Sequence, residues 1–202
     1  MTLESVKALC PDPSVLGIPV LDHGWHSEKP EFAEIVTRQD HKLIVEVGSW
    51  FGQSALRMAA LCPNAIVVCV DTFLGSTDHM PFRLPRNMGF PDIYRQFLMN
   101  TASSPYADRI FPLVQTSRNA ARLLKSLPYK PTLCYIDGSH ESPDVLDDMT
   151  AYYELLAKGG TIFGDDYGNP DHPGVKGDVD EFMCAGELTW EVLNGFWVTK
   201  KA

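Results

Sequence analysis

Short apolar runs, rich in β-branched residues, recur along the chain. They cover residues 42–47, 65–70, 109–114, 131–137 and 161–166. Runs this short and this continuously apolar are typical of strands that are buried on both faces of a sheet. The pattern therefore predicts five parallel strands.

Segments with helical spacing separate these runs, and they cover residues 52–62, 93–102, 117–127, 142–160 and 175–185. We expect Ser117 to cap the third helix, and Gly159 with Gly160 to end the fourth. Two final apolar segments flank Asn194 and Gly195, a pair that strongly favours a hairpin turn. The predicted class is α/β, with a Rossmann-like seven-stranded sheet of five parallel strands plus a C-terminal antiparallel hairpin, and helices on both faces.

Composition narrows the range of partners. The chain has 202 residues, 45% of them hydrophobic, and a net charge of −9 without a Lys/Arg-rich run. Nucleic acids and anionic membranes usually bind a basic face, so we expect neither as a partner. The five cysteines are odd in number and lack CxxC spacing. They predict reduced thiols in a cytoplasmic protein, and no signal peptide or membrane span is expected.

The first residues differ from the rest of the chain. Residues 1–30 include four prolines, which disfavour a long helix. We expect residues 1–35 to form an N-terminal arm or lid and residues 36–202 to form a single domain. A second segment rich in Pro, Gly and aromatic residues, 74–90, is also expected to cover the substrate, because long loops are often functional.

Two features at predicted strand ends suggest a nucleoside ligand. Ligands of open α/β sheets bind at the carboxyl ends of the strands. In "EVGSWFGQS" (46–54), Gly48 and Gly52 flank a turn that would let a ligand approach backbone N–H groups. Asp71 ends the next strand, where a carboxylate can bind both ribose hydroxyls. The alternatives are an ordinary tight turn and an aspartate that caps a helix or loop.

Three aspartates follow the fourth and fifth strands, namely Asp137, Asp165 and Asp166. Two carboxylates about 4 Å apart repel each other by roughly 4 kcal/mol at an effective dielectric constant of about 20. A divalent cation, most simply Mg²⁺, would compensate this repulsion. The alternative is that one aspartate caps a helix and the others are solvated.

Four segments in order carry a family resemblance: "IVEVGSWFGQSA", "VDTFLGS", "YIDGSHESPDVLDDM" and "GGTIFGDDYGNPDHPGVKGDVDEF". Together they resemble the class I S-adenosylmethionine-dependent methyltransferases. More narrowly, they look like a small bacterial family close to metal-dependent sugar and natural-product O-methyltransferases. The similarity covers roughly residues 40–185, and Trp50 departs from the glycine-rich turn of many methyltransferases.

The resemblance implies roles for individual residues. Glu46, Gly48 and Ser49 would hold the methionine part of the cofactor, and Asp71 would hold its ribose. Thr72 and Phe73 would lie beside the adenine, with Gln115, Thr116 and Ser117 on its other side. Trp50 and Gly52 complete the predicted cofactor-binding set.

Catechol-type relatives imply a metal site made of Asp137, Asp165 and Asp166. Their catalytic lysine corresponds to His140 in this chain, whereas the acid of related sugar methyltransferases corresponds to Ser139. An imidazole with an unperturbed pKa near 6.5 could serve as the base. The alternative is that His140 caps the next helix. Asp137 and His140 are the predicted catalytic residues.

The expected function is therefore metal-dependent O-methylation of a small-molecule hydroxyl. A metal-dependent hydrolase and a non-catalytic module that binds an adenosine cofactor are the alternatives. An NAD-dependent oxidoreductase is disfavoured because GxGxxG is absent. The acceptor substrate is the predicted partner, and aromatic residues near the arm suggest a homodimer.

Overall fold

The computed structural model describes residues 15–21, 28–75 and 92–202. The strands are β1 Leu43–Val47, β2 Ile66–Asp71, β3 Ile110–Val114, β4 Leu133–Ile136, β5 Thr161–Gly164, β6 Trp190–Leu193 and β7 Phe196–Lys200. The helices are α1 Pro30–Val36, α2 Gln53–Leu61, α3 Asp92–Ala102, α4 Ser117–Lys125, α5 Asp144–Leu155 and α6 Pro173–Ala185.

The strands form one seven-stranded sheet in the order β3-β2-β1-β4-β5-β7-β6. β1 to β5 pair in parallel, and β7 runs antiparallel to both β5 and β6. Asn194 and Gly195 have φ values of 48° and 92°, the left-handed conformation that a two-residue hairpin turn requires. The predicted fold class is confirmed.

Two hydrophobic cores cover the two faces of the sheet. One joins α1, α2 and α3 to residues such as Ile44, Tyr135 and Phe163. The other joins α4, α5 and α6 to residues such as Val45 and Ile136. Since β1, β4 and β5 are buried along their whole length, their apolar runs reflect burial on both faces. The order of the strands in the sheet reverses direction at β1, whose neighbours are β2 and β4. Such a reversal places a ligand-binding crevice at the carboxyl ends of these strands.

Two helix ends differ from expectation. The N-cap of α4 is Thr116, whose hydroxyl accepts the N–H of Asn119. The prediction of Ser117 was wrong because adjacent hydroxyl residues offer the same cap and the backbone turns one residue earlier. α5 ends at Leu155, before Gly159 and Gly160, because Leu156 has extended backbone and its side chain is fully buried.

Part of the predicted arm lies in the structure. Residues 15–21 lie along α3, where Asn100 exchanges hydrogen bonds with both backbone groups of Leu21. α1 crosses the expected boundary at residue 35 and buries Phe32, Ile35 and Val36 in the core. The remaining arm residues and most of the predicted lid, residues 76–90, lie outside the described residues.

The four cysteines of the described residues are free thiols. Cys62, Cys69 and Cys134 are buried and free, whereas Cys184 is free and exposed. In the described ranges, no helix is both long and apolar enough to cross a membrane.

Candidate active site

A cavity of about 840 Å³ opens at the carboxyl ends of β1, β2 and β4. That volume suits a small-molecule ligand. Eight predicted site residues line it: Gly48, Trp50, Asp71, Thr72, Gln115, Thr116, Ser117 and Asp137. One wall is strongly acidic because the first half of α5 contributes Asp144, Asp147 and Asp148. The cavity is thus placed and charged to receive a ligand with cationic groups.

The turn after β1 lies tightly against β4. The N–H of Gly48 donates to Val70 O, and the N–H of Asp137 donates to Val47 O. Gly48 has φ +87°, and a Cβ at that position would lie 1.9 Å from the carbonyl oxygen of Asp137. A side chain at residue 48 would therefore push the end of β1 away from the end of β4.

Asp71 is fixed by the backbone. Its Oδ2 accepts the N–H of Trp50 at 2.8 Å, and its Oδ1 accepts the N–H of Phe73 at 2.7 Å. Burial raises the pKa of Asp71, and these backbone donors offset part of that increase. Each carboxylate oxygen can accept a further hydrogen bond, so Asp71 is prepared to bind a diol such as ribose.

Glu46 lies beneath the turn, and its side chain is fully buried. Burial raises its pKa to about 7, although the hydroxyls of Ser49 and Ser54 favour the charged form. Ser54 donates to Glu46 Oε1. The sequence analysis missed Ser54, although it lies in the quoted motif. Glu46, Ser49 and Gly52 do not line the described cavity, whereas Gly48 and Trp50 of the same turn do.

The residues predicted to surround the adenine divide into two groups. Thr72 and residues 115–117 line the cavity. Phe73 does not, since it is 3% exposed and packs in the core against Tyr94 and Phe97, with ring centroids 4.9 Å apart in each pair. Sequence reasoning missed Asp148, whose pKa burial raises to about 6 and which hydrogen-bonds to Ser117.

An acidic cluster adjoins the cavity through Asp137. Tyr135 OH donates to Asp137 Oδ2 at 2.8 Å. His140 Nε2 lies 3.2 Å from Asp166 Oδ2 and 3.8 Å from Asp137 Oδ1. Burial alone would lower the pKa of His140, but the nearby carboxylates of Asp137 and Asp166 raise it to about 10. The two aspartates thus favour the protonated imidazole, whereas an unperturbed pKa near 6.5 would leave His140 partly neutral at pH 7.

The adjacent pair of aspartates meets two different environments. Burial and then repulsion by Asp137 raise the pKa of Asp165 to about 6, although Lys29 Nζ lies 3.5 Å from its Oδ1. Burial alone would raise the pKa of Asp166, but hydrogen bonds from His140 and Asn169 lower it to about 2. Lys29 and His140 therefore supply positive charge beside these acids.

One group of metal-ligating side chains converges in the part of the chain that the structure describes. The ligand atoms of His140, Asp166 and His172 all lie within 4.8 Å of one another. The predicted set of Asp137, Asp165 and Asp166 surrounds the same region without converging to this degree among the described residues. It remains a prediction.

The sequence matches the methyltransferase domain family over residues 45–167, more than half of the chain. The chain therefore belongs to that family. The fold agrees, because the seven-stranded sheet with its antiparallel hairpin is that of the class I S-adenosylmethionine-dependent methyltransferases. The protein is an enzyme of this class.

Individual proteins similar to this chain share limited sequence identity or coverage with it. A curated relative, Uncharacterized protein R132 of Acanthamoeba polyphaga mimivirus, is 36% identical over 62 residues. Those residues are 31% of this chain, and the match spans 24% of the relative's length.

Two solved structures have the same fold. CalS11, described as a TDP-rhamnose 3'-O-methyltransferase, is 21% identical with a TM-score of 0.62, covering 98% of this chain and 91% of that one. TomG from Streptomyces achromogenes, an O-methyltransferase solved with its methyl donor, is 16% identical with a TM-score of 0.61. That comparison covers 86% of this chain and 81% of TomG.

Proposed function

We propose that the protein transfers a methyl group from S-adenosylmethionine to a hydroxyl oxygen of a small molecule, either a sugar or a natural product. The observation that carries this proposal is the position of Asp137, which lines the cavity and also faces His140. The donor cavity and an acid–imidazole group thus meet at one residue. The description of CalS11 as a sugar-nucleotide O-methyltransferase supports the choice of oxygen.

The cofactor would lie along the cavity with its charged end towards the β1 turn. Glu46, Gly48, Ser49 and Ser54 would hold the methionine part. Asp71 would bind the ribose hydroxyls. A sulfonium and an ammonium group both suit the acidic wall of the cavity.

The adenine would lie between Thr72 and residues 115–117. Phe73 would support this position from behind, because its side chain is in the core rather than in the cavity. Trp50 lines the cavity, and Gly52 is the left-handed N-cap of α2. These two residues would shape the turn.

A divalent cation, most simply Mg²⁺, would be held by Asp137, Asp165 and Asp166. Carboxylate oxygens are the donors that this ion prefers, and the contacts of Lys29 and His140 with Asp165 and Asp166 support attraction of positive charge to this group. The bound ion would lower the pKa of an acceptor hydroxyl and orient its oxygen.

His140 is the proposed base. Its Nε2 faces Asp137 and Asp166, so a proton from the acceptor would be held at that atom. In its neutral form His140 accepts this proton, the acceptor oxygen bonds to the methyl carbon, and the carbon–sulfur bond breaks to leave S-adenosylhomocysteine. Since the carboxylates of Asp137 and Asp166 favour the protonated imidazole, His140 becomes neutral only when another cation engages these aspartates.

The test is methyl transfer from isotope-labelled S-adenosylmethionine to a panel of nucleotide sugars, phenols and amines, with Mg²⁺ or with EDTA. We expect label in an ether product of one hydroxyl class, with loss of transfer in Asp137→Asn and retention in Asp171→Asn, which changes a nearby exposed acid. Label on nitrogen, or hydrolysis of an acceptor without label, would contradict the proposal. Homodimer formation and a cytoplasmic location remain predictions.

A further inference from the structure

The converging side chains of His140, Asp166 and His172 come from two separate segments of the chain. His140 follows β4, whereas Asp166 and His172 lie in the segment between β5 and α6. The two imidazole rings stack with centroids 4.0 Å apart and an interplanar angle of 27°. All three residues are partly buried. Two nitrogen donors and one oxygen donor thus lie within 4.8 Å of one another.

We propose that His140, His172 and Asp166 bind a divalent transition-metal ion, such as Zn²⁺ or Co²⁺. Imidazole is a preferred ligand of these ions, whereas Mg²⁺ prefers oxygen donors. A tetrahedral ion about 2.1 Å from its ligands needs ligand atoms roughly 3.4 Å apart. His140 Nε2 and Asp166 Oδ2 are already 3.2 Å apart. The site is distinct in ligand chemistry from the proposed set of three aspartates, although the two sets share Asp166.

The backbone holds the two segments together. A Cβ on Gly174 would lie 2.9 Å from His140 O and from Ser142 N, so glycine lets the start of α6 approach the segment after β4. The carboxylate of Asp178 on α6 accepts hydrogen bonds from the Ser142 hydroxyl at 2.7 Å and from the Leu146 N–H at 3.0 Å. These contacts bring His172 to His140.

Asp166 is held in place by its own segment. It has φ 62°, a left-handed conformation that costs energy in a residue other than glycine. The side-chain amide of Asn169 donates to its Oδ1 at 2.7 Å, and its Oδ2 faces His140. Such outer hydrogen bonds orient the ligands of protein metal sites. The geometry thus presents one defined oxygen towards the two imidazoles.

Occupation of this site would have a consequence for the reaction. The ion would use the lone pair of His140 that faces Asp166, so His140 could not accept a proton. This consequence rests on the proposed function, and it makes a transition metal an inhibitor of a reaction that Mg²⁺ supports. The binding itself does not depend on any methyl transfer.

The test is titration of the purified protein with Zn²⁺ by calorimetry, and with Co²⁺ by visible absorption, without S-adenosylmethionine. The wild type, His172→Gln, His140→Gln and the control Asp171→Asn are compared, each after its folding is checked by circular dichroism. We expect one tight site that excess Mg²⁺ does not displace. Affinity should fall by at least about tenfold in either histidine variant and stay unchanged in the control.

Equal affinity in the wild type and both histidine variants would overturn the proposal, since any binding would then come from other groups such as the exposed Cys184. Absence of Zn²⁺ binding by the wild type would overturn it too. Because the titration contains no methyl donor, failure of the proposed methyl transfer would not alter its result. Inhibition by Zn²⁺ that His172→Gln relieves would link the site to the base.

Discussion

Replacement of Asp71 by asparagine tests the central contact of the proposed cofactor site. Both carboxylate oxygens accept a backbone N–H, at 2.8 Å from Trp50 and at 2.7 Å from Phe73. Asparagine has one acceptor oxygen, so its NH₂ group would face one of these N–H donors. A hydrogen bond to a charged group contributes about 1.5–3 kcal/mol, and relief of a buried charge offsets part of that loss. We expect Asp71→Asn to lower the free energy of unfolding by about 2 kcal/mol.

That loss corresponds to a decrease of about 4–8 °C in Tm for a chain of this size. The variant also loses one acceptor for the ribose hydroxyls, so we expect its affinity for S-adenosylhomocysteine to fall by about tenfold or more. Thermal unfolding and calorimetry measure the two effects, with the exposed Asp108→Asn as the control. If Asp71→Asn matches the wild type in both Tm and affinity, Asp71 has neither the structural nor the binding role assigned to it.

Three further substitutions test other parts of the structure. Gly48→Ala should lower the unfolding free energy by more than about 3 kcal/mol, because its Cβ would meet the Asp137 carbonyl. Gly177→Ala is the control, since no atom lies within 4 Å of a Cβ added at residue 177. Equal stability of the two variants in urea would contradict the close packing described at the β1 turn. Asn100→Ala removes side-chain hydrogen bonds to Leu21, Phe51 and Gln96. We expect its free energy of unfolding in urea to fall by about 3 kcal/mol. The exposed Asn119→Ala is the control and should change this free energy little. An unchanged unfolding midpoint in Asn100→Ala would show that residues 15–21 are not held by α3. Because burial raises the folded-state pKa of Glu46 to about 7, its contribution to stability is complete below the unfolded pKa near 4.3 and is lost as pH rises through 7. Relative to wild type, Glu46→Gln should therefore gain about 3 kcal/mol of stability between pH 4.3 and 7, and a difference that does not vary with pH would refute the buried-acid assignment.

Local patterns were sufficient to predict the sheet. Five buried strands follow from continuous apolar runs, and the hairpin follows from Asn194 and Gly195, whose backbone conformation few other residues adopt. Asp71 was placed correctly beside the β1 turn because the ends of adjacent parallel strands must meet at one edge. These features depend on neighbours in sequence or on strand order alone.

Other contacts depend on partners far away in the sequence, so no local pattern shows them. Asp178 accepts hydrogen bonds from a segment 32–36 residues away, and Asn100 binds Leu21 across 79 residues. Phe73 lies two residues after Asp71, the predicted ribose-binding residue, yet its ring packs in the core. The pKa of His140 could not be predicted either, because it depends on two carboxylates whose distances only the folded structure sets.

The most direct test of the central claim is calorimetric titration of the wild type with S-adenosylmethionine and S-adenosylhomocysteine, with NAD as a control ligand. We predict one site per chain for S-adenosylmethionine or S-adenosylhomocysteine, no heat of binding with NAD, and a weaker site in Asp71→Asn. At about one hundred times its Kd, the ligand should also stabilise the fold by about 2.7 kcal/mol. If neither S-adenosylmethionine nor S-adenosylhomocysteine binds at millimolar concentration, or if NAD binds in their place, the assignment of this cavity to S-adenosylmethionine is contradicted.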